Sequence, residues 1–76
     1  MKIDKMKFDL AMADKAYSVK ELSKRCGVSY VTIAKIRNGT QETRPETVGK
    51  IAKALDVPAI DIIKYENFFA NKVKSI

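Results

Sequence analysis

The chain has 76 residues, a net charge of +6, 46% hydrophobic and 32% charged residues, one cysteine and no histidine. That length holds one small domain, which buries about 60% of the surface its unfolded chain exposes, and the apolar content is too high for intrinsic disorder. An internal disulfide framework, a four-ligand zinc site and histidine-based acid–base chemistry are excluded, so neither a cofactor nor a metal site is expected.

No apolar run approaches the ~20 residues that span a bilayer or resembles a signal-peptide core, so no membrane partner and a cytoplasmic location are expected. No separate ligand-sensing or self-cleaving domain is expected. Residues 18–44 carry six basic and two acidic side chains, a local excess of +4, against +1 for residues 1–17, 0 for 45–65 and +1 for 66–76. The positive charge is therefore concentrated in one segment.

Residues 3–15 read as a first helix, with Ile3, Met6, Leu10 and Ala13 on one side and Phe8, Ala11 and Met12 widening the stripe. Asp4, Asp9 and Asp14 alternate with Lys2, Lys5, Lys7 and Lys15, the pattern of a salt-laced exposed face. Nothing in it looks catalytic.

Ser18 is placed as an N-cap, with Glu21 three residues on to complete a capping box. The second helix runs to Cys26, and Gly27 ends it by taking positive φ without a Cβ penalty. Ser29 caps a third helix that continues through Ile36 and Arg37 to the stop at Asn38-Gly39. Val19, Leu22 and Cys26 before the glycine, and Val28, Ile33 and Ile36 after it, repeat at helical spacing. Two short amphipathic helices must then cross steeply around a tight turn. Cys26 reads as a small buried hydrophobe rather than a redox sensor.

Residues 40–44 form a polar loop. Pro45 suits a first helical turn, Thr43 and Glu46 offer a second capping box, and Val48, Ile51, Ala52 and Leu55 make the stripe of a fourth helix. After Val57-Pro58, a short fifth helix is expected to carry Ile60, Ile62 and Ile63. The tail, residues 66–76, holds Phe68, Phe69, Val73 and Ile76, more apolar surface than a terminus normally displays. Phe69, Val73 and Ile76 fit a helical turn, while residues 72–76 alternate like a strand, and both patterns stand. The fold class is all-α with a tail of open structure.

The run Leu22-Ser23-x-x-Cys26-Gly27-Val28-Ser29-x-x-Thr32-Ile33-Ala34-Lys35-Ile36-x-Asn38-Gly39 resembles the Cro/repressor-type helix-turn-helix family of phage and bacterial regulators. Pro45, the run from Ile51 to Val57, and Ile62-Ile63 extend the likeness over about residues 6–64. The resemblance implies a five-helix, lambda-repressor-like DNA-binding domain over residues 1–65, with the helix-turn-helix at 18–39 and a tail at 66–76. It also implies that the third helix lies in the major groove of double-stranded DNA.

The positions matching the family's base readers are Tyr30, Val31 and Lys35, with Thr32 beside them. Lys35 suits guanine O6 or N7, and the Val31 and Thr32 methyls suit a thymine methyl. Phosphate contacts are implied for Ser18, Val19 through its N–H, Ser29, Arg37, Asn38, Thr40, Gln41, Thr43 and Arg44, the last within reach of the adjacent minor groove.

Two positions depart from the family pattern. Many members open the second helix with glutamine, here Val19, and pair an arginine of the first helix with a glutamate ending the third, here Met12 and Arg37. Arg37 is on this reading free to face phosphate.

The expected function is sequence-specific DNA binding as a homodimer on an inverted repeat, with Ile60, Phe68 and Phe69 as dimer contacts. An alternative is an antitoxin or anti-repressor-like module that binds a protein partner through the apolar tail. No enzyme is expected: paired carboxylates and a Gly-rich phosphate loop are both missing.

Overall fold

The computed structural model describes residues 1–64, so Phe68, Phe69 and the two patterns of the tail lie outside the described residues. Among these residues there are four α-helices: α1 (Lys5–Lys15), α2 (Val19–Cys26), α3 (Tyr30–Ile36) and α4 (Pro45–Leu55). One 3-10 turn, Ala59–Asp61, follows them. The helices close on a single cluster in which Phe8, Leu22, Ile33, Ile36, Ile51 and Leu55 are at most 2% exposed.

Helix α1 starts later than its stripe suggests. Asp4 is extended and its carboxylate accepts from the Lys7 N–H at 3.0 Å, which is the N-cap arrangement. Ile3, left outside the helix, forms an antiparallel bridge to Ile63 and is wholly buried. The core face of α1 is Phe8, Ala11 and Met12. Met6, Leu10 and Ala13, grouped with the core on the sequence pattern, are exposed. Two apolar faces on one helix cannot both meet one core, and the bulkier Phe8 takes it.

The fifth helix is corrected to that 3-10 turn. Ile62 leaves helical geometry at φ −127° and is buried, and the chain then pairs with its own N-terminal segment. Asp4 donates to the Ile62 carbonyl and Lys64 to the Lys2 carbonyl, both at 2.8 Å. These cross-chain bonds satisfy the backbone groups a helix would have used, and β-branched residues favour the extended form. Ile60 is 47% exposed.

The capping reading holds in part. Arg44, not Thr43, is the N-cap of α4 and makes no side-chain cap bond, while Pro45 takes the first turn as expected. Helix α1 ends on Ala16 at φ +56°, left-handed backbone in a residue that has a Cβ. Because that conformation costs an L-residue roughly 1 kcal/mol, the exposed Ala16→Gly variant is expected to gain about 0.5–1 kcal/mol. Urea unfolding of the two proteins measures the gain.

Candidate nucleic-acid interface

Three short-range hydrogen bonds order α2 and the turn that follows it. Ser18 Oγ accepts from the Glu21 N–H at 3.1 Å, while the Glu21 carboxylate turns away to Arg25 Nε at 2.9 Å, so only half of the capping box forms. Arg25 also lies 4.6 Å from the centre of the Tyr17 ring. Gly27 takes φ +73° with open space where a Cβ would stand, so the backbone conformation alone requires glycine. Ser23 Oγ donates to the Val28 carbonyl at 2.6 Å across the turn. Cys26 is a free, half-buried thiol packed on the edge of the core.

Ser29 caps α3: its Oγ accepts from the Thr32 N–H at 3.1 Å and donates to Thr32 Oγ1 at 2.8 Å. Ile33 and Ile36 fix the inner face of α3, and at 100° per residue the outward side then falls on Val31, Ala34 and Lys35, flanked by Tyr30 and Thr32. All five are exposed, Tyr30 and Val31 to 48% and 59%. Four side chains expected to read bases therefore share one solvent face.

Two clefts are lined by residues expected to contact phosphate. On the Arg37 flank, Ser18, Val19 and Arg37 line an open cleft of about 360 Å³ with Asp9, Met12, Ala13 and Tyr17. The N-terminus of α2 and the Arg37 guanidinium are thus together beside the Asp9 carboxylate, which an anionic oxygen would meet there as well. On the Thr32 flank, Thr32, Gln41, Arg44 and Thr47 line a second cleft of about 270 Å³ with Ile36, Glu42 and Thr43. Ser29, Asn38, Thr40, Gln41 and Arg44 are exposed.

Thr43 departs from expectation. It is 7% exposed, its N–H donates to the Met1 carbonyl at 2.6 Å and its hydroxyl points to the Gln41 carbonyl at 3.4 Å. Its place is structural, anchoring the loop to the N-terminal segment.

Arg37 is not free. Its Nε donates to Asp9 Oδ1 at 3.0 Å, and Asp9 Oδ2 accepts from Lys5 Nζ at 2.8 Å. The hydrogen bond from Lys5, then the hydrogen bond and charge of Arg37, outweigh burial and hold the Asp9 carboxyl below its ordinary pKa. The first and third helices are therefore still bridged by an ion pair, with the acid on α1 and the base at the end of α3. Sequence reasoning passed over Asp9 as one of several alternating charges. The signal was the arginine at position 37, which calls for an acid on α1, and Asp9 lies one turn from Met12. Thr47 carried no signal, because only the packing of α4 against the loop brings it beside Thr32.

No helix among the described residues is long and apolar enough to cross a membrane. A family model described as helix-turn-helix matches residues 11–62. No curated protein and no solved structure matches the chain.

Proposed function

The chain belongs to the Cro/repressor-type helix-turn-helix family of DNA-binding transcription regulators, and on that premise we propose that it binds a specific DNA sequence as a homodimer on an inverted repeat. The observation that carries this reading is the outer face of α3, where Tyr30, Val31, Thr32 and Lys35 stand exposed. Base edges meet the face and phosphates meet the clefts. Ser18, the Val19 N–H and Arg37 take one strand's backbone, while Gln41 and Arg44 take the other, with Ser29, Asn38 and Thr40 alongside.

One such unit reads few base pairs. Doubling it across half-sites about 34 Å apart supplies affinity and specificity together. Residues 1–65 are on this reading the DNA-binding unit, and residues 66–76 with Ile60 provide the dimer contact. The antitoxin or anti-repressor-like alternative draws on the exposed apolar side chains Met6, Leu10 and Ile60, which suit a protein partner.

Selection from random duplex at physiological salt is expected to enrich a palindrome. Lys35→Ala should weaken binding to it by about 1–2 kcal/mol per half-site and relax preference at one base pair, leaving non-specific affinity nearly unchanged. Failure to enrich any sequence would sink the sequence-specific claim.

A further inference from the structure

Helix α1 carries apolar side chains on two opposite sides. At 100° per residue Phe8, Ala11 and Met12 share the buried side, and Met6, Leu10 and Ala13 share the side about half a turn away. Met6 and Leu10 are 72% and 60% exposed, and with the Lys5–Asp9 pair they line an open cleft of about 450 Å³. A surface helix normally presents charge on its outer side, so an apolar one marks a contact.

Residues 65–76 have apolar side chains to supply such a contact, Phe68 and Phe69 foremost. Their point of departure says which copy of α1 they meet. Ile62 pairs with Asp4, the cap of α1, and Lys64 pairs with Lys2, so the chain at 62–64 runs antiparallel to 2–4 and away from the helix. The stripe of its own α1 lies behind it.

Building on the homodimer reading, we propose that Phe68 and Phe69 of one protomer cover the Met6–Leu10 stripe of a second copy, in a reciprocal two-fold exchange. The four residues from Lys64 to Phe68 span up to about 13–14 Å, enough to cross to an adjacent molecule. Each phenyl ring brings about 150–250 Å². Two exchanged arms, counted with the stripes they cover, reach the lower end of the ~1,200–2,000 Å² that a stable interface buries. Two α1 stripes packed directly on each other, with two large side chains apiece, fall well short of that range.

The test uses the full chain with a photo-crosslinking benzoylphenylalanine at position 10, in an equal mixture of ¹⁴N- and ¹⁵N-labelled copies. The expected product is a dimer of mixed isotope composition, joined between position 10 and the 65–76 peptide. A crosslink to 65–76 within one copy, a crosslink from α1 to α1, or a monomer throughout the micromolar to millimolar range would each overturn the proposal.

Leu10→Glu and Phe69→Glu, placed outside the buried core and the described residues respectively, are each expected to raise the dimer dissociation constant at least about 30-fold in sedimentation. Combined, they should cost little more than either alone. Dimerisation as in the parent protein would count against the arm. Half-site binding read through its Lys35 dependence is scored separately. If it persists while the crosslink is absent, only the arm is wrong; if it is absent while the crosslink forms, only the DNA reading is wrong.

Discussion

Gly39→Ala is expected to lower the free energy of unfolding by about 2–4 kcal/mol, against about 1 kcal/mol for Gly27→Ala. Both glycines take positive φ, +80° and +73°, so the backbone strain is the same. Their surroundings differ. A Cβ at Gly27 meets nothing within 4 Å, whereas one at Gly39 would stand 2.6 Å from the Ile3 carbonyl oxygen and 3.1 Å from Lys64 Cε.

The lysine side chain can move, but the carbonyl is pinned. Ile3 is wholly buried, Met1 accepts from Thr43 on one side of it, and Lys2 and Asp4 pair with Lys64 and Ile62 on the other. Relieving the contact means opening this ladder or lifting Ile3 from the core. Urea denaturation of the two variants beside the parent measures the difference. Equal losses at both glycines would mean that the N-terminal segment yields cheaply, and the account of it as a fixed part of the core would fall.

Arg37→Glu is expected to weaken DNA binding by about two orders of magnitude for every sequence alike, with a shallower dependence on salt, because an anion replaces a cation beside the cleft proposed to take a phosphate. The ion pair with Asp9 complicates this substitution in a useful way. Glutamate at 37 would face Asp9, and since the present pair is 40% and 33% exposed, the loss of stability should be only about 1 kcal/mol. The charge-reversed double variant Asp9→Arg with Arg37→Glu rebuilds the bridge between α1 and α3. Part of the stability is then expected to return, less what is lost with the Lys5–Asp9 pair, while DNA binding remains lost.

Were binding to return as well, Arg37 would be a brace for α3 and not a phosphate ligand. The bridge also has a pH signature. The folded-state pKa of Asp9 is depressed, so its contribution is present above the ordinary carboxylate range and disappears as pH falls through the lower folded value. Asp9→Asn should remove that part of the acid dependence of unfolding, measured as the melting temperature between neutral pH and pH 3.

Much of the fold was readable because it is encoded locally. Ser18 and Ser29 cap their helices, Gly27 and Gly39 take positive φ, Pro45 opens α4, and Leu22, Ile33, Ile36, Ile51 and Leu55 point inward. Caps, turns and helical periodicity depend on residues three or four apart. The exposed face of α3 follows from the same rule, since burying Ile33 and Ile36 leaves Tyr30, Val31, Thr32 and Lys35 outside.

What misled was long-range. The choice between two apolar faces of α1, the escape of Ile62 and Ile63 from a helix into pairing with Asp4 and Ile3, and the seating of Thr43 against Met1 each involve partners some 40 or more residues apart. No local pattern reports such partners.

The sequence by itself determined four of the helices, the caps at Ser18 and Ser29, and the family. It could not determine which charges meet, and only the tertiary structure decided that Asp9 holds Arg37 at the end of α3. Periodicity fixes the side of a helix on which a charge lies, whereas an ion pair needs two charged groups, carried on different elements, brought within about 3 Å of each other. That distance is set by the core packed between them.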